Sequence, residues 1–263
     1  MKVLYALESI RTPWLDTVMA AITHLGEETV FMVAALFVFW CVSKRHGYYL
    51  LAIGFAGTVL NQFLKLLFRI PRPWVLDSDF TIVESARAQA TGYSFPSGHS
   101  QNAIGTFGGI ARFTRRKWVR VAAIVVAVLV PLSRMYLGVH TPLDVGVAAV
   151  IAVALVFALY PLMERSDSRH GVMGAVLAVM LALAVGYLLF VSLYPFPADV
   201  YAGLDSDRVK AILDVEMCIP AQMVDDIRLA INDRCPIETC LHAGGEIMGR
   251  GEVMDAVRKL LER

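Results

Sequence analysis

The stretch PSGHSQNAIGTFGGIARF, residues 96–113, indicates the fold of this chain. Ser97 is a favourable residue immediately before a helix, and Gly98 lets a ligand approach the backbone closely. The residues behind them are mostly apolar and include three glycines, Gly105, Gly108 and Gly109. Small residues at this spacing let helix backbones pack closely in a membrane. The stretch therefore predicts a polar helix start inside a tightly packed transmembrane bundle.

The composition of the whole chain also indicates a membrane protein. The mean hydropathy is +0.59, and only 18% of the 263 residues are charged, whereas soluble chains carry about a quarter. The net charge of +1 is uninformative as a total. Four scattered cysteines do not form a disulfide scaffold, and no cleavable signal peptide is evident. We expect a bilayer and a lipid as partners, and no nucleic acid.

Six apolar stretches are predicted as membrane spans. They are roughly Val30–Val42, Tyr48–Phe68, His99–Phe113, Val119–Leu132, Leu143–Met163 and Val172–Tyr194. Before them, Trp14–Leu25 is short and amphipathic, so we expect it at the membrane interface or against the bundle. The predicted fold is all-α, a polytopic transmembrane helix bundle of about six spans.

After Tyr194 the chain becomes polar and rich in acidic residues. We predict a membrane domain over residues 1–197 and a small soluble α/β appendage over residues 198–263. The predicted elements of this appendage are a strand, Val209–Leu213, and two amphipathic helices, Ala221–Ile231 and Glu252–Leu261.

Positive charges lie on alternate connections between the predicted spans, which marks those connections as cytoplasmic. They are Lys44 and Arg45, then Arg115, Arg116, Lys117 and Arg120, then Arg165 and Arg169. The loops at residues 69–97 and 134–142 then face the other side. We expect a multi-pass protein of the inner or plasma membrane whose functional loops face outward.

Ionisable residues near membrane depth are costly, so they are functional candidates. The first group is Lys65 and Arg72, the latter followed by Pro73. These side chains either contact lipid headgroups at the interface or form a dedicated anion site. The second group is Ser97, Gly98 and His99, at a helix start whose free N–H groups favour phosphate binding. The plain alternative for this group is an ordinary capped helix.

The third group follows the pattern S-R-x5-H-x3-D, with Arg134, His140 and Asp144. Asp144 lies three residues after Thr141 and is placed to complete a capping box with it. Alternatively, its carboxylate accepts a hydrogen bond from His140 and leaves the other ring nitrogen available for attack. Both roles are compatible.

Together the three groups predict phosphoryl chemistry. Lys65, Arg72 and Arg134 supply cations for the phosphate oxygens, with donors from Ser97 and Gly98. Two histidines supply a nucleophile and an acid. The groups lack a paired-carboxylate or Cys/His ligand set, so we expect chemistry that needs no metal and no cofactor.

In this order the motifs K-x6-R-P, P-S-G-H and S-R-x5-H-x3-D resemble the three signature motifs of the type 2 phosphatidic acid phosphatase family, whose superfamily includes the vanadium haloperoxidases. The resemblance spans roughly Trp14–Tyr194. It implies that His140 attacks phosphorus and forms a phosphohistidine, that Asp144 orients it, and that His99 protonates the leaving alcohol. It also implies that Lys65, Arg72, Ser97, Gly98 and Arg134 hold the phosphate.

The resemblance implies an integral membrane lipid phosphatase acting on undecaprenyl diphosphate, phosphatidic acid or phosphatidylglycerol phosphate. The alternatives are a vanadate-dependent peroxidase and a catalytically impaired membrane scaffold or transporter. Residues 209–261 instead resemble the C-terminal end of the alpha subunit of 2-oxoacid:ferredoxin oxidoreductases. That stretch lacks a cofactor-binding region, so we interpret the appendage as a gene fusion, a rearrangement or an assembly artefact.

Overall fold

The computed structural model describes residues 1–77, 79–87, 90, 92–165, 170–194, 211–216, 236–241 and 250–261. In the first part of the chain the helices are α1 (Lys2–Glu8), α2 (Pro13–Thr23), α3 (Glu28–Phe37), α4 (Lys44–Phe68), α5 (Pro73–Leu76), α6 (Gly98–Phe113), α7 (Lys117–Tyr136), α8 (Pro142–Arg165) and α9 (His170–Leu193). Short 3-10 turns lie at His24–Gly26 and Glu84–Ala86, and a π-helical turn, Val38–Val42, extends α3. The protein is mostly helical, as predicted.

Four helical segments in the described ranges are long and apolar enough to cross a membrane: Lys44–Leu76, Lys117–Tyr136, Pro142–Arg165 and Val172–Leu193. A fifth is added if Pro13–Gly26 and Glu28–Val42, which are bent by 52°, form one span. The predicted span at His99–Phe113 corresponds to α6, which has 16 residues. A helix of that length extends for about 24 Å, less than the hydrocarbon core of a bilayer. The count of six spans therefore stays a prediction.

The centre of the bundle is α6, which packs against α4, α7 and α8. Two of its glycines explain the close approach to α4. A Cβ added at Gly105 would lie 2.9 Å from Ile53 Cγ2, and one at Gly109 would lie 2.7 Å from Leu50 Cδ2. At Gly108 the nearest atom would be 3.8 Å away, on Val156. The expected role in close packing therefore belongs to Gly105 and Gly109.

The end of α4 is defined by Arg69, which adopts a left-handed conformation with φ of 49°. Its N–H donates to the carbonyl of Lys65 at 2.9 Å, an arrangement that satisfies one of the last carbonyls of a helix. Lys65 therefore lies on the final turn of α4, and Arg72 follows immediately in the next connection. Both predicted cations of the first motif are thereby brought to one end of the bundle.

The internal contacts divide the chain into two compact units, Met1–Ser192 and Leu193–Arg263. In the second unit β1 (Ile212–Glu216) pairs in parallel with β2 (Ile237–Leu241), and α10 (Arg250–Leu261) packs on both strands.

The first predicted strand overlaps β1 only at its end, and β2 was not predicted. The predicted helix Glu252–Leu261 lies within α10, whereas Ala221–Ile231 falls outside the described residues. The predicted domain boundary after residue 197 stays a prediction.

We expect Gly54→Ala to destabilise the bundle, because a Cβ there would lie 2.0 Å from the ring of Phe31, a core residue that is 6% exposed. Overpacking of this kind typically costs about 1–3 kcal/mol. The matched control is Gly108→Ala, where the nearest atom would be 3.8 Å away and the change improves helix propensity. Thermal unfolding in detergent should show a lower Tm for the first variant only. Equal Tm values would contradict the packing.

Candidate active site

The loop between α7 and α8 carries His140 into the interior of the bundle, where it is 1% exposed. Gly138 turns the chain with φ of 82°, a conformation that glycine adopts without steric cost. A Cβ at this position would also lie 2.7 Å from Nη2 of Arg11. The N–H of Val139 donates to the carbonyl of Arg134 at 3.2 Å. This tight reversal places His140 just ahead of α8.

The carboxylate of Asp144 makes both contacts considered for it from the sequence. Its Oδ2 accepts the N–H of Thr141 at 2.7 Å, and the Thr141 hydroxyl accepts the N–H of Asp144 at 3.2 Å. The same Oδ2 lies 3.5 Å from Nδ1 of His140. Ser94 donates its hydroxyl to Oδ2 at 2.5 Å and lies 3.5 Å from the same ring nitrogen. Asp144 therefore caps α8 and faces one edge of the imidazole.

The other edge of the imidazole faces Arg72. Nη1 of Arg72 lies 3.0 Å from Nε2 of His140, and the same guanidinium donates to the carbonyls of Val139 and Gly92, each at 3.0 Å. A guanidinium has donors and no acceptor, so Nε2 must accept. In the neutral ring the proton then resides on Nδ1, towards Asp144. The lone pair of Nε2 therefore lies beside a buried cation.

The start of α6 is joined directly to the start of α8. The N–H of Ser97 donates to the backbone carbonyl of Asp144 at 3.1 Å. The Ser97 hydroxyl caps α6 by accepting the N–H of Ser100 at 3.4 Å, and the two hydroxyls are 2.8 Å apart. Gly98 begins the helix, and a Cβ there would meet only Asn61, at 3.7 Å. The second and third motifs therefore share one hydrogen-bonded region.

His99 stands on the first turn of α6. Its Nε2 is buried and has no hydrogen-bond partner in the described part of the chain. The positive charges of Arg134, Lys65 and Arg72 are close enough to act on the ring electrostatically. A Cβ at Gly26 would lie 2.8 Å from the His99 carbonyl oxygen, so the turn after α2 packs closely against this residue.

Lys65 and Arg134 are held by polar atoms of neighbouring segments. Nζ of Lys65 donates to the carbonyl of Tyr93 at 3.3 Å. Nη1 of Arg134 donates to the hydroxyl of Thr23 at 3.0 Å, whereas its buried Nε finds no partner among the described residues. Arg134 is only 1% exposed, so bulk water does not satisfy this donor. The donor is therefore available to a bound group.

The charges of the region favour an anion. Arg72, Arg134 and Asp144 all interact electrostatically with Lys65, so in the described part of the chain the Asp144 carboxylate lies among three cations. Buried positive charges are stabilised by nearby anions, and a phosphate would add negative charge in this region. The described residues contain no cluster of three or more His, Cys, Asp or Glu side chains that could hold a metal ion. The arrangement fits a tetrahedral oxyanion next to two imidazoles.

Burial lowers the pKa of His140 well below its usual range. The nearby Asp144 carboxylate opposes this shift in pKa, while the positive charges of Arg72 and Arg134 add to it. Desolvation disfavours the charged imidazolium, so the neutral ring is the form favoured at neutral pH.

Several residues of the region were not predicted from the sequence. Ser94 contacts the Asp144 carboxylate, and Thr23 contacts Arg134. Nδ2 of Asn61 donates to Oε1 of Gln101 at 2.9 Å and lies 3.4 Å from the carbonyl oxygen of Pro96. The only sequence signal for the amides is their polarity within apolar helices, and nothing distinguishes Ser94 or Thr23 from other hydroxyl residues.

Residues 45–168 match the family model of the PAP2 superfamily. Phosphatidylglycerophosphatase B of Bacillus subtilis is 35% identical over 149 residues, which cover 52% of this chain and 69% of that protein. Undecaprenyl-diphosphatase BcrC of the same organism is 30% identical over 150 residues, covering 56% of this chain and 74% of the relative. These homologues are lipid phosphatases.

Two solved structures are also similar. The crystal structure of the transmembrane PAP2 type phosphatidylglycerolphosphate phosphatase from Bacillus subtilis has a TM-score of 0.53 and 32% identity, and the match covers 62% of this chain and 84% of that one. The crystal structure of Aquifex aeolicus LpxE has a TM-score of 0.54 and 26% identity, and the match covers 60% of this chain and 92% of that one. With several apolar helices of spanning length, this is a multi-pass membrane protein. The chain belongs to the PAP2 superfamily.

Proposed function

We propose that this chain hydrolyses a lipid phosphate or diphosphate ester through a phosphohistidine formed on His140, without a metal. The observation that carries the proposal is the 3.0 Å contact between Nη1 of Arg72 and Nε2 of His140. It gives the ring nitrogen that would attack phosphorus an unprotonated lone pair. It also puts a phosphate-binding cation next to that lone pair.

The phosphate would be held by Lys65, Arg72 and Arg134, with help from the start of α6. The buried Nε of Arg134, which lacks a protein partner in the described ranges, is one available donor. The first N–H groups of a helix have no intrahelical acceptor, so the backbone at Gly98 adds donors to the same anion. In our proposal the Ser97 hydroxyl supports this end of the pocket. These groups stabilise the charge on the phosphoryl oxygens as the transition state forms.

In the first step the lone pair of His140 Nε2 attacks phosphorus, and the bond to the ester oxygen breaks. Asp144 stabilises the positive charge that develops on the ring through Nδ1–H. His99 gives its proton to the departing alcohol, for which its unpartnered Nε2 is suited. A bound phosphate favours the protonated imidazole that this role requires. In the second step water attacks the phosphohistidine, His99 takes a proton from it, and inorganic phosphate leaves.

The substrate class is inferred from the site and from the relatives. Phosphatidylglycerophosphatase B and an undecaprenyl-diphosphatase are both similar to this chain. The alternation of basic connections supports an outward-facing site in the inner or plasma membrane. A site at that face favours undecaprenyl diphosphate, because that carrier lipid must be recycled there. We therefore propose it as the first substrate to assay, followed by phosphatidylglycerol phosphate and phosphatidic acid.

We expect His140→Ala to remain folded and lose nearly all phosphate release, because the nucleophile is gone. With 32P-labelled substrate and rapid acid-free quenching, the wild-type enzyme should carry base-stable, acid-labile label and His140→Ala should carry none. Substantial turnover in this variant would overturn the assignment of the nucleophile.

His99→Gln is expected to discriminate between leaving groups. A general acid contributes about 10²–10⁴-fold to rate, and that contribution matters for a lipid alcohol but little for nitrophenolate, which leaves without a proton. The variant should therefore lose far more activity on the lipid than on nitrophenyl phosphate. An equal loss on both substrates would contradict the role as general acid.

The lowered pKa of His140 predicts that its ring stays neutral at pH 6.5, where an ordinary histidine is half protonated. A depressed pKa means that the neutral form persists as pH falls through 6.5. Spectra of 15N-histidine in the phosphate-free protein should show an Nδ1–H tautomer at this pH, with the signal assigned by its absence in His140→Gln. A His140 ring that is half protonated at or above pH 6.5 would contradict the lowered pKa.

We also propose that residues 198–263 are dispensable for hydrolysis, since all the candidate site residues lie in the compact unit Met1–Ser192. A chain ending at residue 197 should keep the phosphate release of the full-length protein at equal amounts of purified enzyme. A monodisperse truncated protein that has lost turnover would show that the tail has a role.

A further inference from the structure

A second feature of the bundle lies at the end of α6 and α7 away from the candidate active site. A cavity of about 460 Å³ opens between α6, α7 and α8, and its lining includes Gly108, Arg112, Arg120, Ile124 and Phe157. None of these residues belongs to the proposed catalytic machinery. The cavity has two arginines and otherwise mostly apolar walls.

The cavity is separated from the catalytic site by most of the length of two helices. Arg112 follows His99 by 13 residues on α6, and Arg120 precedes Arg134 by 14 residues on α7. At 1.5 Å per residue both separations are roughly 20 Å along the helix axes. Because α6 and α7 each have one end at the candidate catalytic site, the two arginines lie at the opposite ends of these helices.

The charge at this end is positive. The end of α6, the start of α7 and the connection between them carry five cations, Arg112, Arg115, Arg116, Lys117 and Arg120. The sequence contains no Asp or Glu between Gly98 and Leu143. Within the described part of the chain, neither cavity arginine forms an ion pair with a carboxylate. Glu164, which lies on α8, accepts a hydrogen bond from Tyr160.

Both arginines are held in place. Nε and Nη2 of Arg120 donate to the carbonyls of Ala111 and Thr114, at 3.2 and 2.7 Å. The guanidinium of Arg112 lies over the ring of Tyr160, 4.0 Å from its centroid. A guanidinium has five N–H donors, so the bonds to the two carbonyls leave donors of Arg120 for a ligand. A fixed pair of cations is suited to a phosphate group.

The other walls are suited to a hydrocarbon chain. Ile104, Ile124, Val153 and Val156 line the cavity, and Phe157 is 61% exposed on a helix of spanning length. Basic pockets between transmembrane helices bind anionic lipid headgroups. We propose that this cavity binds one anionic phospholipid from the leaflet opposite the catalytic site. Its phosphate would contact Arg112 and Arg120, and an acyl chain would follow Ile124 and Phe157.

The proposal is tested by lipid retention, independently of phosphatase activity. The full-length protein is mixed with phosphatidylglycerol or phosphatidylcholine of identical acyl chains, and the bound lipid is counted by native mass spectrometry. Orthovanadate is added at saturation to occupy the catalytic phosphate site. We expect the wild type to retain one phosphatidylglycerol and little phosphatidylcholine. Equal retention of the two lipids would overturn the proposal.

The double variant Arg112→Gln/Arg120→Gln should bind phosphatidylglycerol about thirtyfold more weakly, since each arginine near anionic lipid contributes a factor of about five. The matched control is Arg115→Gln/Arg116→Gln, which removes the same amount of charge from the neighbouring connection, outside the cavity. The control should retain most of the binding. An equal loss in both variants would show a general effect of the basic connection, and the site would be rejected.

Gly108→Leu tests the cavity without changing any charge. The open space at this position, with Val156 at 3.8 Å from an added Cβ, lets the new side chain occupy the cavity. We expect this variant to lose the bound phosphatidylglycerol while phosphate release is unchanged, and Gly108→Ala, which is too small to fill the cavity, to retain it. Unchanged binding in Gly108→Leu would overturn the proposal even if the arginine variants fail to fold.

Discussion

The convergence of three cations, two of them buried, on the Asp144 carboxylate is the constraint on which the candidate site depends. The three cations, Lys65, Arg72 and Arg134, lie at one end of the bundle. Asp144 supplies a negative charge that interacts electrostatically with Lys65. Leaving one buried charge uncompensated costs several kcal/mol. The protein offsets part of this cost with backbone carbonyls, including those of Gly92, Val139 and Tyr93. The part of the cost that the carbonyls do not offset favours the binding of an anion. This preference connects the electrostatics of the fold with phosphate chemistry.

This constraint also explains why irregular backbone lies beside the site. Non-helical segments are tolerated at membrane depth only where they are buried in protein or line a cavity. The segment at residues 92–97 supplies carbonyls to two of the cations and the Ser94 hydroxyl to Asp144. Its far end joins α6 to α8 through the bond from Ser97 to Asp144. The connection therefore holds parts of all three motifs in one region.

The central helix α6 links the two functional proposals. Its first turn carries His99 at the candidate catalytic site, and its last turn carries Arg112 at the proposed lipid site. Its glycines lie in two different environments. Gly105 and Gly109 pack closely against α4, whereas Gly108 faces open space. The similarity to PAP2 phosphatases supports the chemistry proposed at the first end. The lipid site proposed at the second end rests on the charges and the cavity of this chain alone.

Features that depend on neighbours within four residues could be predicted from the sequence. The Ser97 cap and the reciprocal bonds of Thr141 and Asp144 are of this kind, as are the long apolar helices. The motif spacing likewise indicated the candidate residues, although α6 is shorter than a predicted span. The hydrogen-bond partners of the site residues were decided by tertiary structure, because they are far apart in the sequence. The partners are 50 positions apart for Ser94 and Asp144, 68 for Arg72 and His140, and 111 for Thr23 and Arg134. Local propensity carries no information about such pairs, whereas packing of the helices determines which polar groups meet inside the bundle.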